Sequence, residues 1–161
     1  MLHLPFSHTV TLIIITVAIS LLAFSNQAVM NRLIFWPPAM QRGQYDRFIT
    51  HGFIHADGAH LLFNMITLFF FGNIIESFYR QFFYDMGFVL FYLGGLIVAI
   101  LPSYLKHRHD VHWASLGASG AVSAGLFAYI LFQPWNRIFV FFIPVPAILF
   151  AVLCFAYSIW S

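Results

Sequence analysis

Two short stretches of this chain gather side chains able to do chemistry. In HGFIHADGAHLLFN stand His51, His55, His60 and Asn64, and in SLGASGAVSAG stands Ser119, flanked by Gly117 and Gly120. Asp57 ahead of Gly58 suits the N-cap of a helix, because its carboxylate can accept from the unpaired N–H groups of a first turn. That start puts His60 in the first turn and Asn64 one turn deeper. Residues four apart on an α-helix are offset by about 40° around its axis, so these two side chains leave one face together. Three chemistries fit the cluster. His51 and His55 can be wetted interface residues, with Asn64 a hydrogen bond between helices. His51 and His55, spaced i and i+4, can share a zinc ion if that stretch is helical, although HGFIH lacks the Glu of the zinc-protease motif. Finally, His60 and Asn64 can donate to an oxyanion forming during a reaction.

The third chemistry needs a nucleophile, and Ser119 is placed to be one. With Ser115 as the N-cap of the next helix, Ser119 falls in its first turns, where the macrodipole and free N–H groups favour negative charge. Gly117 and Gly120 clear space around it. The pairs Gly117 with Ala121 and Ala121 with Gly125 equally suit close helix packing, which asks for no chemistry at all.

The elements that position these residues are membrane helices. Of 161 residues, 61% are hydrophobic and 7% charged, against about a quarter charged in a soluble domain. The formal charge of +2 comes from scattered Lys and Arg and leaves no footprint for nucleic acid. Cys154 is the sole cysteine, so no internal disulfide is possible. Charge-free runs of about the length that crosses a bilayer divide the chain into five expected spans: 9–26, 60–79, 86–105, 116–132 and 146–161. The fold class expected is an all-α polytopic membrane protein, one domain over 1–161. The first span lacks the basic flank and small-residue cleavage site of a signal peptide, and Pro144 and Pro146 push the start of the fifth to about residue 146. Between the first two spans, LIFWPPAM is expected in the membrane interface, with Trp36 and Tyr45 at headgroup depth.

Taken together, the two motifs resemble those of the rhomboid family of intramembrane serine proteases, and the resemblance runs from about Arg47 to the end. His51, His55, His60 and Asn64, with LLFN, match the family's second core helix; Leu116, Gly117, Ala118, Ser119 and Gly120 match its GxSx nucleophile motif on the fourth. IPVPAILF at the fifth span and Glu76 after GNII also follow the family. The resemblance implies a rhomboid-like bundle with five helices present of a six-helix core. It implies that Ser119 attacks a scissile carbonyl while His60, Asn64 and the Ser119 backbone N–H hold the oxyanion. It makes His55, Gly117 and Gly120 supporting residues, and Arg47 the arginine that orders the first loop, although Asp46 precedes it where the family more usually has an aromatic. The activating histidine of the family lies on the sixth core helix, and 122–161 contains no histidine. The expectation is therefore a chain truncated before that helix and inactive as written.

The function expected is a rhomboid-type serine endopeptidase that cuts transmembrane-protein substrates in the bilayer, with no metal or cofactor. A rhomboid-like protein that binds client helices without cutting them is the alternative; a channel or metal-handling protein is a third. Arg32, Arg42, Arg47, Lys106 and Arg108 lie in loops of one side and Arg80 and Arg137 on the other, so the positive-inside rule alone puts the first loop in the cytoplasm. The family resemblance implies the opposite, a cytoplasmic N-terminus in an inner or plasma membrane, and that is the orientation expected.

Overall fold

The computed structural model describes residues 7–83, 86–140, 143–149 and 152. Helix α1, His8–Ser25, starts at Ser7, whose Oγ accepts from the Val10 N–H, and turns Thr9, Leu12, Thr16, Ser20 and Ala23 inward. The spacing of three and four residues keeps these on one face. Asn26 caps the short α2, Gln27–Leu33; Pro37 and Pro38 occupy the first turn of α3, Pro37–Gln41, where a missing N–H costs no helical bond. The one-turn helix α4, Arg47–Thr50, runs on into a 3-10 turn, His51–Phe53. The Asp57 carboxylate accepts from the His60 N–H at 2.8 Å and so opens α5, Gly58–Thr67. A π-helical turn, Leu68–Gly72, links it to α6, Asn73–Phe83. There follow α7, Gly87–His107, and α8, Ser119–Phe132.

Among the described residues, three helices are long and apolar enough to cross a membrane: His8–Ser25, Gly58–Gln81 and Gly87–His107. Helix α8 is apolar but only 14 residues long. It begins three residues after the expected boundary at 116, because Ser115 is not its N-cap. Ser115 exchanges backbone hydrogen bonds with Phe35 instead, at 2.9 and 3.0 Å, and Ala118 takes the cap position. One departure from an all-α chain follows α8. Strands β1, Arg137–Val140, and β2, Ile143–Pro146, pair antiparallel with Arg137 opposite Pro146 and Val140 opposite Ile143. Residues 147–149 then turn helical after the prolines; of the rest of the expected fifth span only residue 152 is among the described residues.

Lipid tails are as apolar as leucine, so such helices associate through close packing and buried hydrogen bonds. Both are present. Gly95 of α7 lies against Ala121 of α8, where an added Cβ would stand 3.2 Å from the Ala121 Cα; a Cβ at Gly120 would stand 2.4 Å from the Ala99 Cβ. Gly120 thus clears room for α7, and it also lines the cavity that Ser119 borders. At the other end of the bundle the buried Glu76 carboxylate accepts from the N–H groups of His8 and Thr9 at 2.9 Å each, and from the Thr9 hydroxyl at 2.7 Å. It supplies the negative charge that a helix N-terminus favours and ties α1 to α6.

Candidate active site

The site is built on the loop before α4. Arg47 is buried, its Nε donating to Gln44 Oε1 at 2.8 Å and its Nη1 to the carbonyls of Asn31 (3.0 Å) and Ile34. These carbonyls end α2 and have no helical N–H to accept from, so one guanidinium closes the loop. Burial lowers its pKa, and the neighbouring Arg32 charge does so further. Arg32 meanwhile pairs with Asp46 at 2.8 Å and holds that carboxyl below its ordinary value. One turn on, His51 Nδ1 donates to the Arg47 carbonyl at 2.9 Å, and burial lowers the pKa of that ring.

Phe35, fully buried, sits edge-on to the rings of Phe48, His51, Tyr104 and Trp113. Its backbone pairing with Ser115 therefore anchors the 108–118 loop to a rigid aromatic cluster. Trp36 Nε1 donates to the Val111 carbonyl at 2.9 Å and Gln41 Nε2 to that of Arg108. The two loops meet at one end of the bundle.

From that anchor the chain enters α8 through Gly117, whose φ of +107° belongs to a region L side chains rarely adopt. Its N–H donates to the His51 carbonyl at 2.9 Å. A Cβ there would stand 2.7 Å from His60 Cε1 and 3.0 Å from His60 Nε2, so the imidazole of α5 packs directly on the glycine. The His55 ring, completely buried, lies edge-on to that of His60 with centroids 5.0 Å apart. Its Nε2 accepts from the Ala118 N–H at 3.4 Å, and its Nδ1 is 3.0 Å from Ser20 Oγ. Burial, with His60 beside it, lowers the His55 pKa from 6.5 to about 4. Asn64 is buried one turn below His60 and spends one amide N–H on the His60 carbonyl at 3.0 Å, and among the described residues the other N–H has no partner.

Ser119 is the first residue of α8 and is exposed. The Ala118 N–H is taken by His55, and the first N–H that the helix itself satisfies is that of Val122, donating to the Ala118 carbonyl. The N–H groups of residues 119 to 121 precede that ladder, in the first turn of the helix. Ser119 borders a cavity of about 200 Å³ shared with His51, Leu96, Ala99, Ser103 and Ser115. A hydroxyl at a helix N-terminus, two residues after the glycine on which His60 packs and beside a cavity that His51 also lines, sits where backbone N–H groups and the helix dipole favour negative charge.

The structure thus brings His55 and His60 onto Gly117 and Ala118, directly before Ser119, and sets Asn64 beneath His60. His51 borders the same cavity, whereas Arg47 acts one step back on the loop. The zinc reading has lost its premise: the helical turn ends at Phe53 and the backbone is extended at Ile54. No group of three or more His, Cys, Asp or Glu side chains able to hold a metal is found among the described residues. The sequence reading missed Phe35 and Ser20. For Ser20 a signal existed, since Thr9, Thr16 and Ser20 interrupt an apolar run at intervals that share a helical face.

A family model described as the Rhomboid domain matches residues 42–161. The chain belongs to the rhomboid family. It is 31% identical over 141 residues to "RHOMBOID-like protein 12, mitochondrial" of Arabidopsis thaliana, covering 80% of this chain and 42% of the relative. To "Rhomboid protease GlpG" of Enterobacter sp. (strain 638) it is 31% identical over 124 residues, 74% of this chain and 41% of the relative. The protein of the same name from Klebsiella pneumoniae (strain 342) is 30% identical over 128 residues, 78% and 42%. The chain spans about 42% of the length of the curated relatives it matches. Rhomboid membership and three membrane-length helices make it an integral membrane protein.

Proposed function

We propose that this rhomboid is an intramembrane serine endopeptidase, with Ser119 as its nucleophile and His60, Asn64 and the Ser119 N–H as oxyanion donors. The observation that carries the reading is the packing of His60 on Gly117, two residues before a serine that begins a helix. In this reading a base takes the Ser119 proton as Oγ bonds to the scissile carbonyl carbon. The carbonyl oxygen becomes an oxyanion held by the His60 ring, the free Asn64 N–H and the helix N-terminus. Collapse of the intermediate breaks the C–N bond, the amine leaves with the proton, and water then releases the acyl group by the same steps. Serine is a poor nucleophile without such a base. The resemblance assigns the base to a histidine of the family's sixth core helix.

The substrates proposed are transmembrane proteins whose helix unwinds near its end to present an extended bond. The N-terminus is proposed to be cytoplasmic, which puts the end where Phe35 meets Ser115 on the outer side. The test is cleavage of a single-span reporter by the full-length protein in liposomes. Cleavage abolished by Ser119→Ala supports the reading; capture of the reporter by the parent protein with no cleavage would favour a client-binding rhomboid instead.

A further inference from the structure

Donor bookkeeping around His55 leaves one arrangement. The Ala118 N–H can only donate, so the Nε2 that it meets at 3.4 Å carries no proton. The neutral ring therefore holds its proton on Nδ1, and Ser20 Oγ, 3.0 Å away, must accept it. That is possible because the Ser20 hydroxyl proton has another acceptor, the Phe53 carbonyl at 3.0 Å. Ser20 and His55 are both completely buried, so water offers no substitute partner. The order of bonds runs from the peptide that enters Ser119 through His55 and through Ser20 of α1 to the Phe53 carbonyl.

We propose that Ser20 is a positioning residue for the nucleophile, holding His55 in the Nδ1–H tautomer so that Nε2 fixes the Ala118 N–H and with it the start of α8. This rests on the reading of Ser119 as the nucleophile. Without the Ser20 oxygen the buried Nδ1–H has lost its acceptor, and the competing tautomer sets Nε2–H against the Ala118 N–H, two donors facing each other. Position 119 then loses its hold at the residue before it.

The experiment uses the full-length protein in liposomes, labelled with 15N-histidine, with two readouts: the tautomer of His55 from its ring nitrogen shifts and the rate of Ser119 labelling by a fluorophosphonate. Ser20→Ala is expected to shift the ring toward the Nε2–H form and to slow labelling about tenfold, the effect of losing roughly one buried hydrogen bond. Ser20→Thr, which keeps the hydroxyl, restores both. Thr16→Val, one turn earlier on the same face and with its hydroxyl toward Tyr92 rather than His55, changes neither. If Ser20→Ala does not fold, Ser20→Cys, a weak acceptor of similar size, replaces it with the same expectations. An unchanged His55 tautomer or an unchanged labelling rate in the variant overturns the inference. Labelling of the parent protein that survives Ser119→Ala overturns the nucleophile assignment itself, which the ring shifts do not depend on.

Discussion

His60 packs so closely on Gly117 that a Cβ at position 117 would stand 2.7 Å from its Cε1. Two motifs more than fifty residues apart thereby share one contact, and the contact tolerates no side chain. Gly117→Ala meets both the clash and a φ of +107°, together worth about 2–4 kcal/mol. The expected result is a lower melting temperature and loss of Ser119 labelling. Gly125→Ala is the control, since nothing lies within 4 Å of an added Cβ there and helix propensity favours alanine by about 1 kcal/mol. Equal losses in both variants would contradict the account.

His55 predicts how stability responds to acid. Its pKa falls from 6.5 to about 4 in the fold, so between those values the unfolded chain binds the extra proton. The stabilisation is complete above about pH 6.5 and declines as pH drops toward 4, by at most about 3 kcal/mol. Unfolding measured against pH should show this slope in the parent and a flatter one in His55→Gln. A slope unaltered by the substitution would remove His55 from the explanation.

Arg47 closes the loop through two carbonyls and Gln44. Arg47→Met removes three hydrogen bonds from a charged donor to part-buried acceptors and should cost about 2–3 kcal/mol. Lysine recovers only part of that, because an ammonium cannot reproduce the planar fork of donors. Thermal unfolding and proteolytic nicking at 31–46 would report it; a lysine variant as stable as the parent would show that charge alone suffices.

Much of this was legible from residue types, and the limits have physical causes. Asp57 announced a helix start because a carboxylate at an N-cap answers a local need, and local needs are written in neighbouring residues. Ser115 had the same credentials, yet a backbone partner eighty residues away took it into the pairing with Phe35. Small residues around Ser119 marked a close approach, but not which neighbour each one serves: Gly117 meets His60, and Gly120 meets Ala99. The strand pairing of 137–146 was hidden by its prolines, which read as the entry to a helix. Arg47 was expected to order the first loop, while the carbonyls it reaches depend on how α2 ends.

Glu76 joins α1 to α6 at the bundle end far from Ser119. Glu76→Gln keeps an acceptor but removes the charge facing the α1 N-terminus, a loss of about 1 kcal/mol. Amide exchange should quicken at His8 and Thr9 while Ser119 labelling is retained. Faster exchange confined to α8 would contradict the assignment.

The proposed orientation is checked with cysteines at two exposed positions, Tyr45→Cys and Gln81→Cys, in a Cys154→Ala background. Position 45 should react with an impermeant maleimide on intact cells, and position 81 only after the membrane is opened. The reverse pattern would show that the positive-inside count outweighs the family orientation.

The central claim is that Ser119 reacts as a nucleophile served by His60 and Asn64. Its most direct test is to treat the full-length protein in liposomes with a fluorophosphonate and locate the adduct by peptide mass spectrometry. The account predicts a single modified serine at 119, with the rate reduced on the order of a hundredfold or more by His60→Ala and by Asn64→Ala. An adduct on another serine, or undiminished labelling in both variants, would contradict it.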